Sequence, residues 1–417
     1  DYAIGTAATA VAYEPEPATF EGIVRADGRI ATRNYIGIIS TVNCSASVSR
    51  FIADAFKGDV LAEFPNIDGI VPICHGTGCG CSGSDENFEL LMNTIAGYVR
   101  HPNFAQVLMI GLGCEVLQID TLLKNRQLAE YSNLQTMTIQ GTGGTRKTVR
   151  EGIRRIQALL PQANMVDRRA APAKHLILGL QCGGSDGYSG ITANPALGAA
   201  VDLLVLHGGT AILGETPEIY GAEHLFTRRA ISTEVGEKLI ERIHWWENYT
   251  KAHNAVMDNN PSPGNKDGGL TTILEKSLGA AAKGGTTNLV EVYRFAQPVG
   301  ARGLVFMDTP GHDPVSLTGM VAGGANLICF STGRGSVYGC KPVPVTKLAT
   351  NTEMYTRMED DMDINCGRTI DGATTVAEMG EHIFRFILEV AGGKKTKSEL
   401  NGLGDNEFVP WFMGAVM

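Results

Sequence analysis

The chain of 417 residues carries 35 Lys+Arg against 44 Asp+Glu, a formal net charge of -9. Without a basic block it lacks the electrostatic footprint of a nucleic-acid binder, and no apolar run approaches the roughly 18 residues that span a bilayer. Glycine is the outlier at 51 residues, about 12% against roughly 7% in ordinary usage; the absence of a G-X-Y period excludes collagen, and the surrounding apolar runs exclude a disordered low-complexity chain.

In chain order, residues 1–17 are Ala-rich and end in Glu-Pro repeats, which reads as a linker arriving from an upstream domain. Tyr35–Val42 is an apolar, β-prone run. It feeds a helix with Val48, Phe51, Ile52, Ala55 and Phe56 on one face. Gly69–Ile73 is a second strand, followed by a helix carrying Phe88, Leu91, Met92, Ile95 and Val99. Strands at Val107–Ile110 and Leu134–Ile139 and a basic helix with Val149, Ile153, Ile156 and Leu160 complete the first unit. Composition shifts over Pro161–Lys174, the expected boundary between a first domain at 18–162 and a C-terminal domain at 173–417. Beyond it come strand His175–Leu180, helix Ala196–Leu206, strand Thr210–Leu213, a long helix over Glu234–Met257 and a Gly/Pro/Asn loop at Asn259–Gly269. Strands Gly303–Met307 and Leu327–Phe330 and a helix near Val376–Ala391 follow. Alternation of this kind predicts an α/β fold of two domains with mainly parallel, Rossmann-like sheets.

Unusual residues recur just after these strands, where open parallel sheets bind ligands. Asn43-Cys44 follows the first, Cys74-His75-Gly76-Thr77-Gly78-Cys79-Gly80-Cys81 the second, and Gly111-Leu112-Gly113-Cys114-Glu115 the third. In the second half the post-strand segments are Gln181-Cys182-Gly183-Gly184-Ser185-Asp186, Gly214-Glu215-Thr216-Pro217-Glu218, Asp308-Thr309-Pro310-Gly311-His312-Asp313 and Ser331-Thr332-Gly333-Arg334-Gly335. Taken singly, Cys44, Cys114 and Cys182 read as packing residues, because a free cysteine is among the most buried residue types. His75 with Cys79 among glycines forms no amphipathic face, and imidazole and thiolate both suit iron; the spacing is not a zinc-ribbon pair. Neither Gly111-Leu112-Gly113-Cys114-Glu115 nor Cys182-Gly183-Gly184-Ser185-Asp186-Gly187 is a GxGxxG or a P-loop, so the nucleotide-binding alternative is weak. Arg334 reads as a surface arginine or as a clamp for a carboxylate. Lys266 is a solvated loop lysine or a placed one, and His312 with Asp313 is a turn pair or an oriented acid–base group. Nine cysteines in a chain of this length read as reduced thiols of a cytoplasmic enzyme rather than a disulfide framework.

From about Phe20 to the C-terminus the sequence resembles the altronate/galactarate dehydratases. The segments that carry the resemblance are Asp27-Gly28-Arg29-Ile30-Ala31-Thr32-Arg33-Asn34, His75-x-x-Gly78-Cys79, Arg100-His101-Pro102-Asn103, Ile110-Gly111-Leu112-Gly113-Cys114-Glu115, Cys182 to Pro195, Asn260 to Lys266, and Ser331 to Gly335. The wording is closer to altronate-type members. What the resemblance implies is a hydro-lyase that dehydrates a sugar acid, a hexonate or aldarate, to a 2-keto-3-deoxy acid with Fe2+, an iron–sulfur cluster or another divalent cation being the alternatives. It also implies a small N-terminal domain, SAF, in cis or in trans, of which residues 1–17 would be the trailing linker, and a homo-oligomer. On that basis His75, Cys79, Cys44, Cys114, Cys182 and Glu115 are the expected metal site. Arg33 and Arg334 are expected on the substrate carboxylate, Asn34, Asn194 and Asn265 on its hydroxyls, and His75, Lys266, His312 and Asp313 in catalysis. A sulfo-lyase acting on a sulfonated hydroxy acid, a large subunit inactive without its SAF domain, and an NAD-binding oxidoreductase are the competing expectations.

Overall fold

The computed structural model describes residues 2–257 and 260–413; Asn259, at the start of the expected loop, and the last four residues lie outside them. The strands are β1 (Thr19–Val24), β2 (Ile30–Ala31), β3 (Tyr35–Ser40), β4 (Gly69–Ile73), β5 (Phe104–Gly111), β6 (Leu134–Thr138), β7 (Arg168–Pro172), β8 (Ile177–Cys182), β9 (Thr210–Leu213), β10 (Leu289–Tyr293), β11 (Gly303–Met307), β12 (Leu327–Thr332), β13 (Val345–Ala349) and β14 (Ile364–Asn365). They build two parallel sheets, β4-β3-β5-β6 and β10-β11-β9-β8-β12-β13-β14, and a small antiparallel one, β2-β1-β7. The fold is α/β, as expected. Apolar runs such as that of β3 suit strands covered on both faces, which parallel sheets require, and every residue of β3, β11 and β12 is buried.

Connectivity makes one switch point in each large sheet. β3 leads to β4 on one side and β5 to β6 on the other; β8 leads to β9 and β12 to β13 in the same divergent way. Crevices therefore open at the carboxyl ends of β3/β5 and of β8/β12, the places where α/β sheets bind ligands.

Local chemistry starts the helices where the sheets need them. Asp85 caps helix Glu86–Arg100 by accepting from the Phe88 N–H, and Arg100 sits in its last turn, complementing the helix dipole. Thr375 and Glu378 form a capping box on helix Val376–Ala391. The end of the described chain crosses between the two units. Phe408 meets Tyr98 edge-on at 4.6 Å, Trp411 stacks on Trp246 at 5.4 Å, and the Met413 N–H donates to Asn87 Oδ1 at 3.0 Å.

The expected boundary stretch is ordered: the helix that begins at Thr145 runs through Pro161 to Asn164, and β7 then pairs with β1. Residues 2–17 form no helix or strand and lie as a strap on the C-terminal unit. Gly5 and Ala7 donate to the carbonyls of Thr227 and Arg228 at 2.9 and 2.7 Å. The Thr9 N–H meets Asn288 Oδ1 at 3.0 Å, and Ile4 fills the space a side chain at Gly236 would need.

Candidate active site

At the β3/β5 crevice three loops are tied to one another. The Asn43 N–H donates to Thr77 O at 3.0 Å and the Leu117 N–H to Gly78 O at 3.2 Å. Thr41 Oγ1 donates to Glu115 Oε1 at 2.8 Å. Glycine is required at Gly78, where φ is +96° and a Cβ would lie 2.2 Å from Thr41 O. Three thiols here are exposed, Cys44 in the first turn of the helix Asn43–Asp54 and Cys79 and Cys114 on loops. Cys79 and His75, with Asn43, Arg50, Cys74 and Phe408, line a cavity of about 490 Å³, within the size range of small-molecule sites.

The groups behind these thiols are struts. His75 is buried; its Nε2–H donates to Ser40 O at 3.0 Å and its Nδ1 accepts from the Thr77 N–H at 3.3 Å. Burial pushes its pKa down to about 4, so the ring is neutral with both nitrogens engaged, and it is neither the metal ligand nor the catalytic group expected. Glu115 is likewise not a ligand: Oε1 accepts from Thr41 and the Leu112 N–H, and Oε2 from the Gly113 N–H. Among the described residues no three His, Cys, Asp or Glu side chains stand close enough to hold a single metal ion. A mononuclear iron anchored on His75 does not fit this edge, and no chemical step is assigned to one.

The β8/β12 crevice has the opposite character. Lys283 Nζ, on the residue after helix Ile273–Ala282, lies 2.8 Å from Cys182 Sγ and 2.9 Å from Glu215 Oε2, all three buried. Gln181 Nε2 bridges Glu215 Oε1 and Asp313 Oδ1 at 2.7 and 2.8 Å, while Gln181 Oε1 has no partner. Beside them Lys276 pairs with Glu218 at 2.7 Å, and Asn260 Nδ2 donates to Glu218 at 2.7 Å. Glu215 occupies the left-handed region at φ +62°, a strain of order 1–3 kcal/mol that such sites retain for function. Burial raises the Glu215 pKa against the pull of Lys283. It pushes Asp313 up to about 6 and the Cys182 thiol up to about 11. Cys182 therefore belongs to a lysine–carboxylate cluster on the second sheet, apart from the other expected metal ligands.

Arg334, Lys266 and His312 are exposed at the rim of this crevice. The Arg334 N–H donates to Gly184 O at 2.8 Å, and its side chain lies against Gly268, which ends the short helix Pro263–Asp267 that carries Lys266 where the sequence led us to expect only a loop. The remaining expected substrate residues hold the fold. Arg33 is buried and engages all five N–H donors, on Glu399, Thr32 O, Val390 O and Lys394 O. Asn34 bonds Asn66 O, Ala163 O and Arg25 at the amino end of β3. Asn194 is held by Gly279 O and Ser331, and Asn265 by Ser185 O and its capping box with Ser262. Sequence reasoning missed Lys283 and Lys276. Gln181, Glu215 and Glu218 were visible in post-strand segments, though without a role.

Comparison with known proteins identifies the family. Residues 173–416 match the family described as D-galactarate/Altronate dehydratase, C-terminal, and residues 22–164 that described as D-galactarate dehydratase/Altronate hydrolase, second domain. The chain belongs to the galactarate/altronate dehydratase family. It is 40% identical over 383 residues to galactarate dehydratase (L-threo-forming) of Escherichia coli, covering 90% of this chain and 73% of that one. It is 33% identical over 391 residues to altronate dehydratase of Bacillus subtilis, covering 93% and 77%. The (2R)-sulfolactate sulfo-lyase subunit beta of Chromohalobacter salexigens is 28% identical over 396 residues, 94% of this chain and 96% of that one. This dehydratase is thus a carbon–oxygen lyase, and no described helix is long and apolar enough to cross a membrane.

Proposed function

We propose that the enzyme removes water across C2–C3 of a hexonate or aldarate, of the altronate or galactarate type, to give a 2-keto-3-deoxy acid. The observation that carries this reading is the Lys283–Glu215–Gln181–Asp313 chain at the β8/β12 switch point, its first three members buried and Asp313 half-buried. The substrate is a polyhydroxy carboxylate whose C2 proton is weakly acidic. Arg334 and Lys266 at the rim supply cations for the carboxylate. Glu215, a carboxylate made more basic by burial, takes the C2 proton, and Lys283 neutralises the charge left behind. Asp313, with its pKa near 6, retains a protonated fraction at neutral pH and gives that proton to the departing C3 hydroxyl. The enol that remains tautomerises to the 2-ketone.

A panel of hexonates and aldarates, with 2-keto-3-deoxy products detected chemically, tests the activity, with the SAF domain supplied in trans as a second arm. Absence of product from every sugar acid in both arms overturns it. The near-full coverage of the sulfo-lyase subunit favours one alternative, elimination of sulfite from a sulfonated hydroxy acid. Sulfolactate in the same panel, with sulfite as the readout, separates the two. Exchange of the C2 hydrogen with solvent tests the roles: Glu215→Gln is expected to abolish exchange, whereas Asp313→Asn keeps exchange and slows elimination.

A further inference from the structure

Another cavity, of about 320 Å³, opens between the two units at the amino ends of the strands. Its wall includes Ile177 and Thr210, the first residues of β8 and β9, and Arg302 and Asn326, which directly precede β11 and β12. It is therefore separate from both carboxyl-edge crevices. Arg29, Arg100, Lys174, His175 and Arg302 line it, and among the described residues no Asp or Glu does. In a chain with more acidic than basic residues, that imbalance requires an explanation.

Two of these cations serve the fold. Arg29 pairs with Asp27 and donates to Arg100 O, Arg100 donates to Arg126 O, and both lie over the Tyr131 ring. Arg100 also complements the carboxyl end of its own helix. His101, in the same wall, is buried and donates from Nε2 to Ala325 O at 2.9 Å. No such account covers Lys174, His175 and Arg302. Among the described residues none of these three side chains has a hydrogen-bond or ion-pair partner, and burial together with the charges of Lys174 and Arg302 holds the His175 pKa below its ordinary value. Like charges gathered in this way repel one another, a cost that an anion between them removes.

We propose that Lys174, His175 and Arg302 bind the phosphate group of a small metabolite in this cavity. A phosphate monoester carries close to two negative charges and three acceptor oxygens, one each for an ammonium, a guanidinium and an imidazole. Arg302 presents paired N–H donors to it, and Lys174 a mobile point charge. The volume lies at the lower end of the range for small-molecule sites, so the remainder of the ligand is small as well. Arg29 and Arg100 come from the first unit and the three proposed ligands from the second, so a bound anion also ties the units together. Neither crevice contributes a residue, which makes the assignment independent of the dehydratase reading.

The test is thermal denaturation and titration calorimetry of the full chain with inorganic phosphate, a hexose phosphate and citrate, at fixed ionic strength. Inorganic phosphate is expected to raise the melting temperature saturably, and the hexose phosphate to bind more tightly. Lys174→Met and Arg302→Met, at exposed positions, are each expected to weaken phosphate binding about tenfold. Without phosphate both variants keep sugar-acid turnover, and their melting temperature is unchanged or slightly raised because the repulsion falls. Arg334→Met, at the rim of the β8/β12 crevice, is expected to keep the phosphate effect. A shift that does not saturate, or that survives in the variant carrying both Lys174→Met and Arg302→Met, overturns the site. Loss of the shift in Arg334→Met moves the anion to the substrate rim and likewise overturns it. Citrate binding more tightly than either phosphate overturns the ligand class.

Discussion

At the carboxyl edge of the four-stranded sheet the reactive side chains stand in solvent, and the groups behind them are neutral or saturated by backbone. At the carboxyl edge of the seven-stranded sheet the charges are buried or half-buried and answer one another: Lys283 with Glu215, Lys276 with Glu218, Gln181 between Glu215 and Asp313. Both edges use glycine to bring loops close, so backbone freedom does not distinguish them. What differs is the environment. The thiols of the first edge are open to solvent, whereas the second edge sets carboxylates against lysines away from it. One topology, repeated in two sheets, thus carries two kinds of polar environment.

The largest expected effect separates function from scaffolding at the second edge. Lys283→Met is expected to lower kcat by about 10²–10⁴-fold and, by leaving Glu215 buried without its cation, to destabilise the protein by about 3–5 kcal/mol. Lys283→Met combined with Glu215→Leu is expected to recover most of the stability, measured by urea denaturation, and none of the activity. Recovery of both would make the pair structural only. Arg33→Met, at neither edge, is expected to cost about 3–5 kcal/mol by stranding Glu399, with KM unchanged within about twofold; a large rise in KM would return Arg33 to the substrate.

The edges are also expected to respond to pH with opposite signs. Asp313 is raised from 3.8 to about 6 by burial, so the folded state binds the extra proton. Its contribution is present below pH 4 and lost as pH rises to about 6, which is ~3 kcal/mol for two pKa units. Asp313→Asn is therefore expected to raise the melting temperature at pH 8 while activity falls. His75 is lowered from 6.5 to about 4 by burial, so here the unfolded state binds the proton. Stability is lost as pH falls from 6.5 toward 4, and His75→Gln is expected to flatten that limb. The smallest effect is on the thiols. In iron-free protein, Cys79→Ser is expected to change stability by less than about 0.5 kcal/mol, as for most exposed positions.

Most of the fold could be read from the chain because apolar strands and helical faces are local patterns. Gly69–Ile73, Thr210–Leu213, Gly303–Met307 and Val376–Ala391 lie where periodicity put them. Of the strands that escaped notice, β1, β2 and β7 belong to a sheet whose members are remote in sequence: Phe20 pairs with Ala171. Site residues followed the same division. Cys44, Cys79, Cys114, Asp313 and Arg334 stood out by their place after strands. Lys283 did not, since a lysine ending an alanine-rich helix resembles any surface lysine until it is buried against Cys182 and Glu215.

By itself, the sequence determined an α/β chain whose excess glycines gather at the carboxyl ends of parallel strands beside Cys, Glu and Arg, because strand order in the chain and φ freedom at glycine are local properties. Only the tertiary structure decided which of those polar residues face one another. Arg33 and His75 have the composition of a site and the hydrogen bonds of a strut. Whether a donor is free or satisfied depends on carbonyls and carboxylates that residues distant in sequence bring to it, such as Glu399 to Arg33. No spacing within a motif encodes that.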